Sequence, residues 1–264
     1  MRKLTYSLVT VTLALALSLA AYPQQSDMQS DDEAPAKAPK KGPSGPPPKS
    51  IAGTWAIVTP REDRWYNYAL IPGEPPMTPW AEAKFKESKP SFGPNPHEDP
   101  NDVAYRCLPN AVPRVYAGVQ TGMQIVELPG RTLMFFGRNI REIYTDGRQH
   151  PAEHHMLWMG HSIGSWEGNT FVVDTVDIND ANWIDRMGHP HSDKLHLIER
   201  FQRVDDKNML MDITLDDPVA FTKPWNITQR KFRSRANARA GEAVCEDMFL
   251  NEAFGVQPVR PPME

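Results

Sequence analysis

From residue 123 onward, hydrophobic and polar positions alternate in short runs, and each run stops at turn-forming residues. Runs at 123–128 and 132–138 flank Pro129-Gly130, where proline pre-sets one turn angle and glycine accepts a positive φ. The run at 140–145 ends at Asp146-Gly147, a second turn signal. Runs at 156–166 and 171–177 flank Glu167-Gly168-Asn169, and runs at 195–203 and 209–215 flank a polar turn at 205–208. A first run at 51–59 and a last at 225–234 complete the series. A period of two between turn signals predicts strands, here about nine of them at meander spacing. A parallel sheet would need long crossovers, and strands do not alternate with helices. The pattern therefore predicts a mainly β fold, a single antiparallel meander closed into a lipocalin-like or similar barrel. No fixed-period repeat suggests a propeller.

One short helix is expected near 78–88, with Thr78 as cap, Pro79 at the first position and good helix formers behind it. Trp80, Ala83 and Lys84 share one face, which predicts docking through that narrow stripe. In the run at 195–203, Leu195, Leu197, Glu199 and Phe201 fall on one side, opposite Met209, Met211, Ile213 and Leu215. Glu199 is thus expected to point into an apolar interior, where a carboxylate needs a cationic partner or a raised pKa.

The N-terminal region follows other rules. Arg2 and Lys3 precede a charge-free apolar stretch at 4–19, which ends in Ser18-Leu19-Ala20. This reads as a secretory signal over residues 1–20, predicting a periplasmic or secreted protein with no membrane span after cleavage. Residues 21–50 are rich in proline and lack an aliphatic run, so they read as a disordered tether. The barrel-like domain is expected over 51–257, with a tail at 258–264. Cys107 and Cys245 form an even pair, and in an oxidising compartment such a pair is expected to be a disulfide. Closing so long a loop stabilises by about 4–5 kcal/mol in the chain-entropy picture.

Composition narrows the function. A formal net charge of −4 argues against nucleic acid as a partner, because a phosphate-tracking surface needs cationic excess. Twenty-six prolines argue against long helical bundles.

Histidine carries most of the candidate chemistry. His150, His154, His155, His161, His189, His191 and His196 lie within one stretch. His189-Pro190-His191 places two imidazoles on an extended loop, and with His196 they are candidate ligands for zinc or another divalent metal. Without a metal, His161 or His191 with Asp174 or Glu199 would make an acid–base pair. Trp158, Trp166, Trp183 and Trp225 fall around the same region and offer aromatic walls for a small apolar or aromatic molecule. His161, His189 and His191 are expected to meet in one concave site at an end of the barrel. Gly160-His161-Ser162-Ile163-Gly164 matches the nucleophile-elbow pattern, but a β-branched run follows where that motif requires a helix.

The stretches PMTPWAEAKF, IYTDGRQHP, GHSIGSWEGNTFVVDT, HPHSDKLHLIERF and DDPVAFTKPW resemble a widespread family of exported bacterial proteins of unsettled function. The resemblance implies secretion and one domain and supplies no reaction. The expected function is an exported small-molecule binding protein with an aromatic- and histidine-lined pocket. The alternative is a histidine- or metal-dependent hydrolase or lyase of the periplasm.

Overall fold

A computed structural model describes residues 49–58, 74–91, 96–106, 108–117, 122–137 and 139–235. The signal, the tether up to residue 48, both cysteines and the C-terminal tail lie outside the described residues. Among the described residues no helix is long and apolar enough to cross a membrane.

Each hydrophobic run becomes a strand: β1 (Gly53–Ile57), β2 (Met123–Leu128), β3 (Arg131–Phe136), β4 (Asn139–Tyr144), β5 (His161–Glu167), β6 (Thr170–Val176), β7 (His196–Arg203), β8 (Asn208–Asp216) and β9 (Trp225–Ser234). They pair in sequence order and close into a barrel where Trp55 of β1 meets Ser234 of β9. Pro129-Gly130 and Gly168-Asn169 form the tight turns that the pattern marked, with Gly130 at φ +76° and Gly168 at φ +60°.

The meander is not wholly antiparallel. β4 and β5 run parallel, with Ile143 beside Ser162 and Tyr144 beside Ile163. Closure itself requires this. Strand direction cannot alternate consistently around a ring of nine, so an odd number of neighbouring pairs must be parallel. Residues 145–160 supply the crossover, which is why β5 starts at His161 and not at 156. Leu157 anchors that crossover through a parallel bridge to Ile178, with Leu157 N–H donating to the Asp177 carbonyl at 2.9 Å. Gly160 then turns into β5 at φ +63°, and a Cβ there would stand 2.6 Å from the Val176 carbonyl oxygen.

Inward positions fill the barrel. Trp55, Met123, Met134, Phe171, Leu197, Phe201, Met211 and Phe232 are buried together. Glu199 points inward among them, and its partner is Arg141 of β4. The Arg141 guanidinium donates to both Glu199 carboxylate oxygens, to the Tyr116 hydroxyl at 2.6 Å and to Thr175 Oγ1 at 2.8 Å. It also donates to Ser162 Oγ at 3.2 Å, and Ser162 has no exposed surface. The elbow-like serine is therefore part of the barrel interior on a continuing strand and not a nucleophile raised above a sheet.

Helix α1 (Pro79–Glu87) is capped by Thr78, whose hydroxyl accepts from Ala81 N–H at 3.3 Å. Its docking face differs from the expected stripe. Ala81 is the buried residue and Phe85, one turn on, stacks on His189 at 4.5 Å; Trp80 and Lys84 face outward. Tertiary anchors at both helix ends set that rotation. Thr78 Oγ1 donates to the Val219 carbonyl at 2.6 Å, Thr222 N–H donates to the Pro76 carbonyl at 2.8 Å, and Ser88 Oγ donates to the Gly188 carbonyl at 2.8 Å. Gly188 is required at the last contact, because at φ +97° a Cβ would come within 2.7 Å of Ser88 Cβ.

Candidate functional site

Helix α1 and the loop at 180–191 enclose a cleft of about 370 Å³, lined on the helix side by Trp80, Lys84, Glu87 and Ser88. The rest of the lining is Asn101 with Asp180, Trp183, Pro190 and His191 of the loop. The two tryptophans provide aromatic surface on both walls, and the volume is that of a small-molecule site.

Trp183 is held from behind. Arg114, buried to 2% exposure, pairs with Asp102 through two hydrogen bonds of 2.8 and 2.5 Å. Its Nη1 also donates to Asn182 Oδ1 at 3.1 Å, and that oxygen accepts from the Trp183 backbone N–H at 2.8 Å. The guanidinium carbon stands 5.5 Å from the Trp183 ring centroid, a cation–π contact.

His191 is held as firmly. Its Nδ1 donates to the Ser192 carbonyl at 2.9 Å. Ser192 is fixed by Asp217, which accepts from its backbone N–H at 2.6 Å and from its hydroxyl at 2.8 Å. Asp217 also accepts from the N–H groups of Val219 and Ala220, tying the His191 segment to the loop that anchors α1. The ring is 2% exposed, and Nε2 is buried without a hydrogen-bond partner. Burial holds the His191 pKa below the ordinary histidine value, against the opposing pull of the Ser192 carbonyl, Asp217 and Asp180.

The other candidate residues separate into distinct places. His189 does not share a ligand set with His191: its Nδ1 bonds Asp185 at 2.7 Å and its ring lies between Phe85 and Trp225. His196 lies on β7 and bonds Asp174 of β6 at 2.7 Å. Among the described residues no three His, Cys, Asp or Glu side chains converge into a metal-holding group. Trp158 is half-buried before β5, Trp166 packs on Phe171 at 5.2 Å, and Trp225 packs on Phe221 at 5.6 Å. Of the four expected wall tryptophans, Trp183 lines the cleft.

His161 and Asp174 do come together, through His150 on the β4–β5 crossover. His150 Nε2 lies 3.2 Å from Asp174 and its Nδ1 lies 2.7 Å from His161 Nδ1. With both rings neutral, one proton arrangement satisfies the chain: His161 Nδ1–H donates to His150, and His150 Nε2–H donates to Asp174. The chain sits on the outer face of the barrel, with Asp174 36% exposed and His196 41% exposed. Burial lowers the His161 pKa, and the cationic forms of His150 and Arg148 lower it further. The hydrogen bond to Asp174 raises that of His196 despite partial burial.

These directions predict a split titration. Histidine proton resonances followed by NMR should give midpoints below about 6.5 for His161 and His191 and above it for His196. The stability consequences have opposite signs. Neutral His161 and His191 support the fold above the ordinary histidine value, and that support is lost as pH falls through their lowered values. The His196–Asp174 pair supports it below the ordinary value and is lost as pH rises through the raised one. A common midpoint for all three histidines would contradict the arrangement.

No protein-family model, no curated protein and no solved structure matches this chain.

Proposed function

We propose that the protein is an exported binding module for a small apolar or aromatic molecule, taken up in the cleft beside α1. One observation carries this reading: a cleft of molecular size with a tryptophan from the helix and another from the loop, the helix end tied to Gly188 and Trp183 backed by the buried Arg114–Asn182 contact. Such rigidity lets a ligand bind without an ordering cost in the protein. The packed barrel interior supports a site outside the barrel, between helix and loop, in place of a lipocalin-like lumen. The charge-free stretch behind Arg2 and Lys3 supports export.

Trp80 offers the cleanest test, because its side chain contributes to the cleft and its residue is 38% exposed. With indole as probe in calorimetric titration, Trp80→Ala should weaken binding about tenfold, equivalent to ~1.4 kcal/mol, with the melting temperature nearly unchanged. Unchanged affinity would place the binding site elsewhere.

The enzymatic reading draws on the Asp174–His150–His161 chain, which leaves His161 Nε2 as a base when the ring is neutral. It ranks second because that chain lies on the outer barrel face and not in the cleft.

A further inference from the structure

We propose that the cleft selects molecules presenting a hydrogen-bond donor, an aromatic N–H or O–H, to Nε2 of His191; this rests on the binding reading above. The Ser192 carbonyl can only accept, so the proton on His191 Nδ1 is fixed by geometry. A neutral ring then offers Nε2 as a bare acceptor. Among the described residues nothing uses that acceptor, although it is buried and the residue lines the cleft. Buried acceptors left unpaired are costly, and a ligand donor removes the cost. The groups that would charge the ring, Asp180 and Asp217, act against its burial, and burial prevails.

The rest of the lining has the same bias. Ser88 Oγ spends its proton on the Gly188 and Lys84 carbonyls, and Asn101 Nδ2 donates to the Glu87 carbonyl at 3.0 Å. Lys84 Nζ is engaged with Glu87 at 3.3 Å. The Lys84 and Glu87 charges offset each other, which leaves Asp180 and His191 as the acceptors presented to whatever enters. An aromatic carboxylate is mismatched to such a lining. A neutral or cationic indole, phenol or arylamine is matched.

Three probes of nearly equal shape isolate the donor: indole, 3-methylindole and 1-methylindole, of which the last lacks the N–H. Titrations followed by calorimetry and by the Trp80 and Trp183 indole N–H resonances should show indole and 3-methylindole binding at least about tenfold more tightly than 1-methylindole. In His191→Phe, which keeps an aromatic ring and has no acceptor nitrogen, the three probes should bind alike. If all three bind the wild-type cleft equally, the donor inference fails and the binding reading stands. If none moves either tryptophan resonance, the binding reading fails and the inference with it. Should the variant not fold, the ranking on the wild-type protein alone decides.

Discussion

Glu199→Gln should lower the melting temperature by roughly 6–20 °C, the largest effect expected from any single substitution in the barrel. Arg141 and Glu199 are both fully buried, and the guanidinium has no route to solvent. Glutamine keeps the size of the side chain and removes the charge, leaving a cation among Tyr116, Ser162 and Thr175 that neutral oxygens cannot compensate. Removing one partner of such a pair costs about 3–5 kcal/mol. The cost comes from the orphaned charge and not from lost attraction, so Arg141→Met combined with Glu199→Leu should recover much of it. In the wild-type interior burial raises the Tyr116 pKa, and Glu199 raises it further against the opposing effect of Arg141, so the phenol is neutral and Glu199 is the counter-ion of Arg141. Differential scanning calorimetry of the single and double variants checks this; a shift under about 2 °C for Glu199→Gln would contradict it.

Asp102→Ala should be of similar size, about 3–5 kcal/mol, with a second consequence that Glu199→Gln does not share. Asp102 is the counter-ion of buried Arg114, and Arg114 in turn holds Asn182 and lies over the Trp183 ring. An unpaired guanidinium there will move toward solvent and take the Trp183 wall with it. Asp102→Ala should therefore lose indole affinity along with stability, whereas Trp80→Ala loses affinity alone. A stable Asp102→Ala protein with unaltered binding would show that Trp183 is not positioned from behind.

Much of the barrel was legible because its grammar is local. The turns at Pro129-Gly130 and Gly168-Asn169, the Thr78 cap and the inward side of β7 all follow from residues within a few positions of each other. The parallel β4–β5 pair was not foreseen, because the pattern gives only an approximate strand count, and it is the odd count with closure that excludes a purely antiparallel ring. Arg141 could not be assigned to Glu199 beforehand, because β4 reaches β7 only across the closed interior.

The cleft was hardest to foresee. Trp80, Ala83 and Lys84 look like a docking stripe on a lone helix, yet long-range anchors to Val219 and Gly188 rotate Ala81 and Phe85 inward and leave Trp80 facing the cleft. His189 and His191 look like a pair, but the four-residue spacing from Asp185 claims the first and the Ser192 carbonyl claims the second. The Asp185–His189 spacing was a local signal that could have separated them. His150 became part of the chain with His161 and Asp174 only because the crossover folds back onto β5 and β6.

The most direct measurement is a crystal structure of the protein with indole bound. The probe should lie between Trp80 and Trp183, with its N–H about 3 Å from Nε2 of His191. Indole held inside the barrel, or against His161 and Asp174 on its outer face with the cleft empty, would contradict the account.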